Sequence, residues 1–491
     1  MVREYTNVAM FKLQSQRLFE NSRWVPNRGS LAYLEAVQCS TDERPSNKIL
    51  QGYLYDHELE DWLHQRNRFE ADSLPTIRLL FCDRIGWKPL GFAMSGSSFI
   101  TLEEQFSLGH QVLPLLSKNA GQHSCCLKYV RDRDTLESLE FTVKWPQMYQ
   151  IGNCGFALRY DFHARRTLCF AHGWDMVIQT DAVPAGEGFK SYFDEIEKHI
   201  RPAKRFWSHP LFLPTVFLAE HISRANRFRA SLSSQVIQLE KELGITKSGQ
   251  LSWKEAKTFE AIQRLISDRQ IRMNLTAELN SRITDTTNFI TTLAWMNRHC
   301  QFLEKYKDVV QNLNPHPDQN EHRQLEEYLN CLIDNAISMT SNVDGLKSRL
   351  ELQLSVLYNF VAQVDNDLNV RMAYRAGLDG TAMKTLAYVT AIFLPPTFVA
   401  TVFSMSMFDW QASTGSQESV VVVPDFWIFW VVSVPLTLVV LVGWRYWLYF
   451  EKNALQSEYN VRQADRQFGR VRQANYAEDS NKEKVYTVPR V

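Results

Sequence analysis

Hydrophobic and polar positions change period twice along the chain. Through residues 1–205 the apolar runs are short. "TIRLLFC" (76–82), "CCLKYV" (125–130), "SLEFTVKW" (138–145), "GFALRYDF" (155–162) and "RTLCFAHGW" (166–174) are rich in β-branched and aromatic residues, which predicts strands. Helical spacing intervenes in "LEEQFSLGHQVLPLLS" (102–117) and "GFKSYFDEIEKHI" (188–200). Residues 1–205 therefore read as an α/β region. Pro202 and Pro210 mark a break, and a helical period then takes over. "LFLPTVFLAEHISRANRFRASLSSQVIQLEKELG" (211–244) opens it. A second long helix is expected from Trp253 to Lys305, and "NLNPHPDQNE" (312–321) reads as a turn.

A third helix is expected from Glu321 to about Met407. Its apolar stripe is Val343, Leu346, Leu350, Leu354, Leu357, Val361, Val364 and Leu368, a near-heptad of three- and four-residue steps. About 87 residues of helix would be roughly 130 Å long at about 1.5 Å per residue. Such a length suits a stalk packed on copies of itself, on other helices of the chain, or on both. The third period is uniform apolarity. Leu386–Phe408 and Phe426–Trp444 carry no charge, and a span needs about 20 apolar residues. Trp410, Trp427, Trp430, Trp444, Tyr446 and Trp447 cluster at the ends as an interfacial belt would.

Charge adds orientation. Arg371, Arg375 and Lys384 precede the first span, and Arg445, Lys452, Arg462, Arg466, Arg470 and Arg472 follow the second. The connecting loop has no Lys or Arg but holds Asp409, Glu418 and Asp425. Positive flanks stay in the cytoplasm, so both termini are expected there, with the acidic loop outside. An acidic loop ringing a pore would raise the local cation concentration. The chain as a whole has 54 Lys+Arg and 54 Asp+Glu, and this balance argues against a dedicated nucleic-acid binder.

Cysteines and motifs narrow the picture further. Eight scattered cysteines without a C-x-x-C pair argue against a zinc ribbon or a disulfide framework. The N-terminus lacks the apolar core of a signal peptide. No H-E-x-x-H, G-x-S-x-G or P-loop occurs, and His163, Arg165, Arg166, Cys169 and His172 read as a charged strand–turn–strand, so no enzyme is expected.

Near the membrane the stripe changes character. Gly380, Met383, Leu386, Thr390, Leu394 and Thr397 step by three and four residues and share one uncharged face. Copies meeting along it would place hydroxyl rings at Thr390 and Thr397 and apolar rings at Met383 and Leu394 around a tube; ordinary helix packing is the alternative.

"MKTLAYVTAIFLPPTFVATVFSMSMFDW" (383–410) and the span after it resemble the CorA-type divalent-cation transporters, including their zinc-transporting ZntB branch. Met383-Lys384, Ile392-Phe393-Leu394-Pro395 and Thr397-Phe398-Val399-Ala400 carry the resemblance, which covers residues 375–450; the fungal CorA-like proteins look nearest. It implies an α+β cytosolic N-terminal domain, long stalk helices and two C-terminal transmembrane helices in a homopentameric funnel, with the first span lining the pore. The expected organisation is a regulatory domain (1–205), a stalk region (206–380), the two spans (381–450) and a partly disordered cytosolic tail (451–491). The implied cargo is magnesium or zinc, with no firm cofactor. The implied partners are copies of the chain, the lipid bilayer and divalent cations, but no nucleic acid. The implied site is the plasma membrane rather than an organelle.

Two departures stand out. The family closes its first span with Gly-Met-Asn; here Ser404, Met405 and Ser406 occupy those places, and Gly380 replaces a pore asparagine. Asp365 and Asp367 lie where some members bind a regulatory ion between subunits. A magnesium channel, a ZntB-like proton-coupled zinc transporter and a non-conducting sensor or scaffold with a degenerate pore all remain open.

Overall fold

The computed structural model describes residues 2–26, 31–38, 47–70, 73–86, 90–129, 136–148, 150–177, 191–244, 264, 268–313, 319–405, 426–446 and 449. The chain divides into two compact units, Met1–Val364 and Asp365–Val491.

In chain order the first unit contains α1 (Val2–Asn21), β1 (Arg23–Trp24), β2 (Leu31–Val37), β3 (Lys48–Leu54), α2 (Leu59–Leu63), β4 (Ile77–Asp83) and β5 (Gly91–Phe92). Then come α3 (Gly96–Gln105), α4 (Val112–Leu116), β6 (Gln122–Tyr129), β7 (Leu136–Lys144), β8 (Cys154–Asp161), β9 (Arg166–Gly173) and α5 (Tyr192–Ile200). Long helices follow: α6 (Phe212–Leu243), α7 (Arg269–Leu313) and α8 (Gln319–Phe403), whose first part belongs to this unit.

Seven strands form one sheet in the order β3-β2-β4-β9-β8-β7-β6. Its central neighbours β4 and β9 are parallel, with Ile77 opposite Thr167 and Asp83 opposite Gly173; every other adjacent pair is antiparallel. Strand β4 is buried at every position, which explains why "TIRLLFC" is nearly continuous in apolar residues instead of alternating. The five strands expected from the sequence all form. Strands β2 and β3 extend the sheet beyond them.

Helices cover both faces. On one, Phe81, Phe141, Phe156 and Ala171 pack in a common core with α5, α6, α7 and the first part of α8. On the other, Leu80, Cys82, Ala157 and Phe170 pack with residues of α2, α3 and α4. The expected helix over 102–117 is broken: α3 ends at Gln105, Ser107 takes a positive φ of 48°, and α4 starts at Val112. Residues 162–165 form the β8–β9 turn, where the Asp161 carboxylate accepts from the amides of His163 and Ala164, and Arg166 opens β9. Cys169 and His172 lie buried in β9 beyond it.

The three long helices of the first unit are clamped as well as packed. Helix α6 ends where Gly244 adopts φ 63°, the left-handed cap that glycine takes without strain. The stripe on α8 packs inside the chain: Val343, Leu346, Leu350 and Leu357 are buried, and Leu354, Val361 and Val364 lie against the same core. The Arg349 guanidinium donates twice to the Glu240 carboxylate of α6, at 3.0 and 2.6 Å. The Asn297 amide of α7 donates to Thr340. The helix expected from Trp253 is seen as α7; residues 251–263 lie outside the described residues.

In the second unit α8 continues through Pro395 and Pro396 to Phe403, and α9 (Phe426–Tyr446) follows. Met383–Phe403 and Phe426–Tyr446 are long and apolar enough to cross a membrane. The architecture is thus a sheet-containing N-terminal domain, long helices and two C-terminal apolar helices.

Candidate functional site

The first apolar helix has two unlike sides. Its buried positions are Pro395 and Val399, and the half-buried Ala391 stands four residues before Pro395 on the same face. The matching face of α9 is Phe429, Ser433, Thr437, Leu441 and Trp444. The Tyr388 and Trp444 rings meet edge to face at 4.9 Å, which ties the two helices together. Ser433 is buried, and the Thr437 hydroxyl donates to its carbonyl at 2.7 Å. Small hydroxyl residues let apolar helices approach closely while each hydroxyl satisfies itself on its own backbone.

The face singled out by the sequence lies elsewhere on the helix. At about 100° per residue, Met383, Leu386, Thr390, Leu394 and Thr397 centre roughly 140° away from Ala391, Pro395 and Val399. Met383 is 74% exposed, Leu386 68% and Leu394 60%. Thr390 and Thr397 are exposed as well, and a Cβ at Gly380 would meet nothing within 4 Å. One side of the helix is therefore occupied by α9, and the side bearing the threonines is left uncovered by the chain itself.

Hydroxyl direction defines what that face presents. The Thr390 hydroxyl donates to the carbonyl of Leu386 at 2.9 Å, and that of Thr397 lies 2.9 Å from the carbonyls of Phe393 and Leu394. Thr401 donates to Thr397, and Ser404 to Thr401 at 2.8 Å. Each hydroxyl spends its proton on the helix and turns its lone pairs outward. Such a surface is an acceptor surface without formal charge. It suits a cation, or the water hydrogens around one, and it does not suit an anion.

The helix ends at the expected closing tripeptide. Phe403 is its last residue; the Ser404 amide still bonds the carbonyl of Ala400 at 3.0 Å, and the Met405 amide tightens to that of Val402 at 3.2 Å. Met405 is 54% exposed. Ser406, Asp409, Glu418 and Asp425 lie outside the described residues. The two prolines remove the amides that would close on the carbonyls of Ala391 and Ile392. The sequence made the Pro-Pro pair conspicuous, and in the structure Pro395 is buried while Pro396 is half-buried.

Asp367 is ion-paired with Arg371, one turn on, at 2.9 Å; both side chains are exposed. Among the described residues no group of three His, Cys, Asp or Glu side chains is placed to hold a metal ion.

No protein-family model matches the chain. A protein described as "Notoamide biosynthesis cluster protein M'" from Aspergillus versicolor is 34% identical over 82 residues, 15% of this chain. The match spans only 18% of that protein's length. Among solved structures, the CorA magnesium transporter of Methanocaldococcus jannaschii aligns over 84% of this chain and 97% of its own, at 11% identity and a TM-score of 0.32. The full-length CmaX protein aligns over 85% of this chain and 98% of its own, at 12% identity and a TM-score of 0.33. At these scores the likeness is loose, and all three are proteins to which the chain is similar.

Proposed function

We propose that the chain is a CorA-like membrane protein whose copies assemble into a ring and conduct divalent cations along the Gly380–Thr397 face. The observation that carries the reading is the division of the first apolar helix into a side occupied by α9 and an uncovered side rich in threonine. An uncovered face of hydroxyl acceptors is poorly matched to lipid tails and well matched to water around an ion. The resemblance of residues 383–410 to the CorA-type transporters points the same way.

In this reading Met383 and Leu394 form apolar constrictions that empty of water when narrow, and Thr390 and Thr397 form acceptor rings between and beyond them. Ser404, Met405 and Ser406 make the outer mouth. A serine ring is shorter than the family's asparagine ring, so it selects less strictly among hydrated cations. Magnesium is the first cargo to test and zinc the second. Asp365 and Asp367 are proposed to bind a regulatory cation between neighbouring copies, releasing Arg371 when they do. Both termini are placed in the cytoplasm and the acidic loop outside, by the distribution of Lys and Arg.

The test is magnesium uptake into liposomes containing the purified protein, with zinc and a pH gradient as separate arms. Uptake blocked by Thr397→Trp in an intact oligomer supports the reading. A well-folded oligomer that passes no cation favours a membrane-anchored sensor, which the altered Ser-Met-Ser closure would suit.

A further inference from the structure

One corner of the sheet gathers buried cationic and amide groups that the pore does not use. Lys144 on β7 lies opposite Gly155 on β8, Gly155 opposite His172 on β9, and His172 opposite Cys82 on β4. These four residues form a single row across the sheet, on the face that packs against α4. Asn153 precedes Gly155 by two residues and Arg84 follows Cys82 by two, so strand alternation brings both to the same face one row further on. The Trp174 amide, donating to the carbonyl of Asn153 at 3.0 Å, and the Arg84 amide, donating to that of Gly173 at 2.7 Å, hold this second row together.

Every one of these side chains is out of solvent: Lys144 and His172 are 0% exposed, Asn153 2% and Arg84 4%. Among the described residues the Lys144 Nζ, both amide atoms of Asn153 and the His172 Nδ1 have no hydrogen-bond partner. His172 Nε2 is engaged with the carbonyl of Gly91 at 3.1 Å, and Arg84 Nε donates to that of Gly86 at 3.2 Å. A buried ammonium or amide without a partner is costly, and natural cores rarely keep one without a use.

The charges that reach Lys144 are those of Arg84, His172 and the Cys154 thiol; α4, "VLPLL", brings no titratable group. Asp83, the carboxylate at the end of β4, belongs to the opposite face and accepts from the amides of Met176 and Val177 at 2.9 and 3.0 Å. Glycine makes the arrangement possible. A Cβ at Gly155 would sit 2.5 Å from the Leu116 Cδ2 and 2.9 Å from the Lys144 Cδ, so the glycine leaves room for both side chains. A Cβ at Gly173 would sit 1.9 Å from the carbonyl of Asn153. The corner stands at the carboxyl ends of β4 and β9, the parallel pair at the centre of the sheet, which is where open α/β sheets take ligands.

We propose that Lys144, Asn153 and Arg84 form a binding site for a small oxyanion in the N-terminal domain. The anion's oxygens would accept from the Lys144 ammonium and the Asn153 amide, which have no hydrogen-bond partner among the described residues, and from the Arg84 guanidinium beside them. Burial holds the Lys144 amine down at about 7, so an oxyanion that keeps it charged binds together with a proton. The proposal does not depend on what the apolar helices conduct.

The experiment is thermal unfolding of the full-length protein in detergent, titrated with inorganic phosphate, sulfate or acetate against chloride at equal ionic strength. The expected result is a saturable rise in Tm that chloride does not give and that weakens as pH rises above about 7. A rise with phosphate and sulfate alone assigns a tetrahedral oxyanion; a rise with acetate as well assigns a carboxylate. Lys144→Met keeps the chain's bulk and removes the amine, and Asn153→Asp places a competing carboxylate beside it; either should abolish the rise. A protein that responds to none of the three anions, or whose response survives in both variants, would overturn the proposal.

Discussion

The imidazole of His221 on α6 lies face to face with the indole of Trp145, centroids 4.1 Å apart and planes 10° from parallel. Trp145 also meets the His299 ring of α7 edge to face at 4.9 Å, and the His123 ring of β6 lies 5.8 Å from His299. Among the described residues neither ring nitrogen of His221 or His299 has a hydrogen-bond partner. Three histidines thus sit at the seam between the sheet and the long helices.

Acid should loosen that seam. Burial lowers all three histidines below their usual range, His221 to about 3, with Arg224 adding to the effect at His221, Arg298 at His123, and His123 and His221 at His299. Each therefore binds a proton more readily in the unfolded chain. Stability is undiminished above the unfolded value of about 6.5 and falls as pH drops below it. Tm measured from pH 8 to 5 should hold steady and then decline, and His299→Phe should flatten the decline. An equally steep decline in that variant would contradict the assignment.

A second prediction concerns the other face of the sheet. Arg78 donates to Glu35 at 2.8 Å and to the carbonyls of Leu63 and Trp62, with its guanidinium 4.3 Å above the Trp62 ring. Both side chains of the pair are buried. Arg78→Met leaves Glu35 uncompensated and should cost about 3–5 kcal/mol. Denaturant unfolding of the variant measures it, and a loss under about 1 kcal/mol would show that the pair contributes little.

The two sides of the first apolar helix should respond differently to bulk. Val399→Trp enlarges the face seated on α9 and should lower the yield of assembled protein. Thr397→Trp enlarges the uncovered face and should leave assembly intact while abolishing cation uptake. Size-exclusion profiles and liposome uptake of the same preparations separate the two effects; an identical phenotype would erase the distinction between the faces.

The Asp367–Arg371 pair is exposed and worth under about 1 kcal/mol, so Asp365→Asn combined with Asp367→Asn should leave Tm nearly unchanged. If the two acids hold a regulatory cation, the same variant should keep conducting at magnesium concentrations that inhibit the native protein. Unaltered inhibition would remove them from the mechanism.

Much of the fold could be read from the sequence because its signals are local. The runs that became β4, β6, β7, β8 and β9 carry strand composition over six to nine residues, and the spans announce themselves by length without charge. Strands β2 and β3 escaped notice: "LAYLEAV" is helix-forming in composition and becomes a strand only by pairing with β3 and β4. The stripe on α8 was visible, but periodicity does not name the partner; it packs on α6 and α7, and only Leu368, 51% exposed, stands outside that core. At the candidate site the sequence marked a face by spacing. That α9 takes the other face depends on contacts such as Tyr388–Trp444, 56 positions apart in the chain, which no local pattern encodes. The corner at Lys144 was missed for the same reason, since its members come from four strands or their ends.

The most direct test is a particle image of the protein in lipid, read for the number of copies and for the side chains nearest the symmetry axis. The proposal predicts a closed ring with Thr390, Leu394 and Thr397 around a central water path and α9 outside it. A single copy in the bilayer, or a ring with those three side chains against lipid, would contradict it.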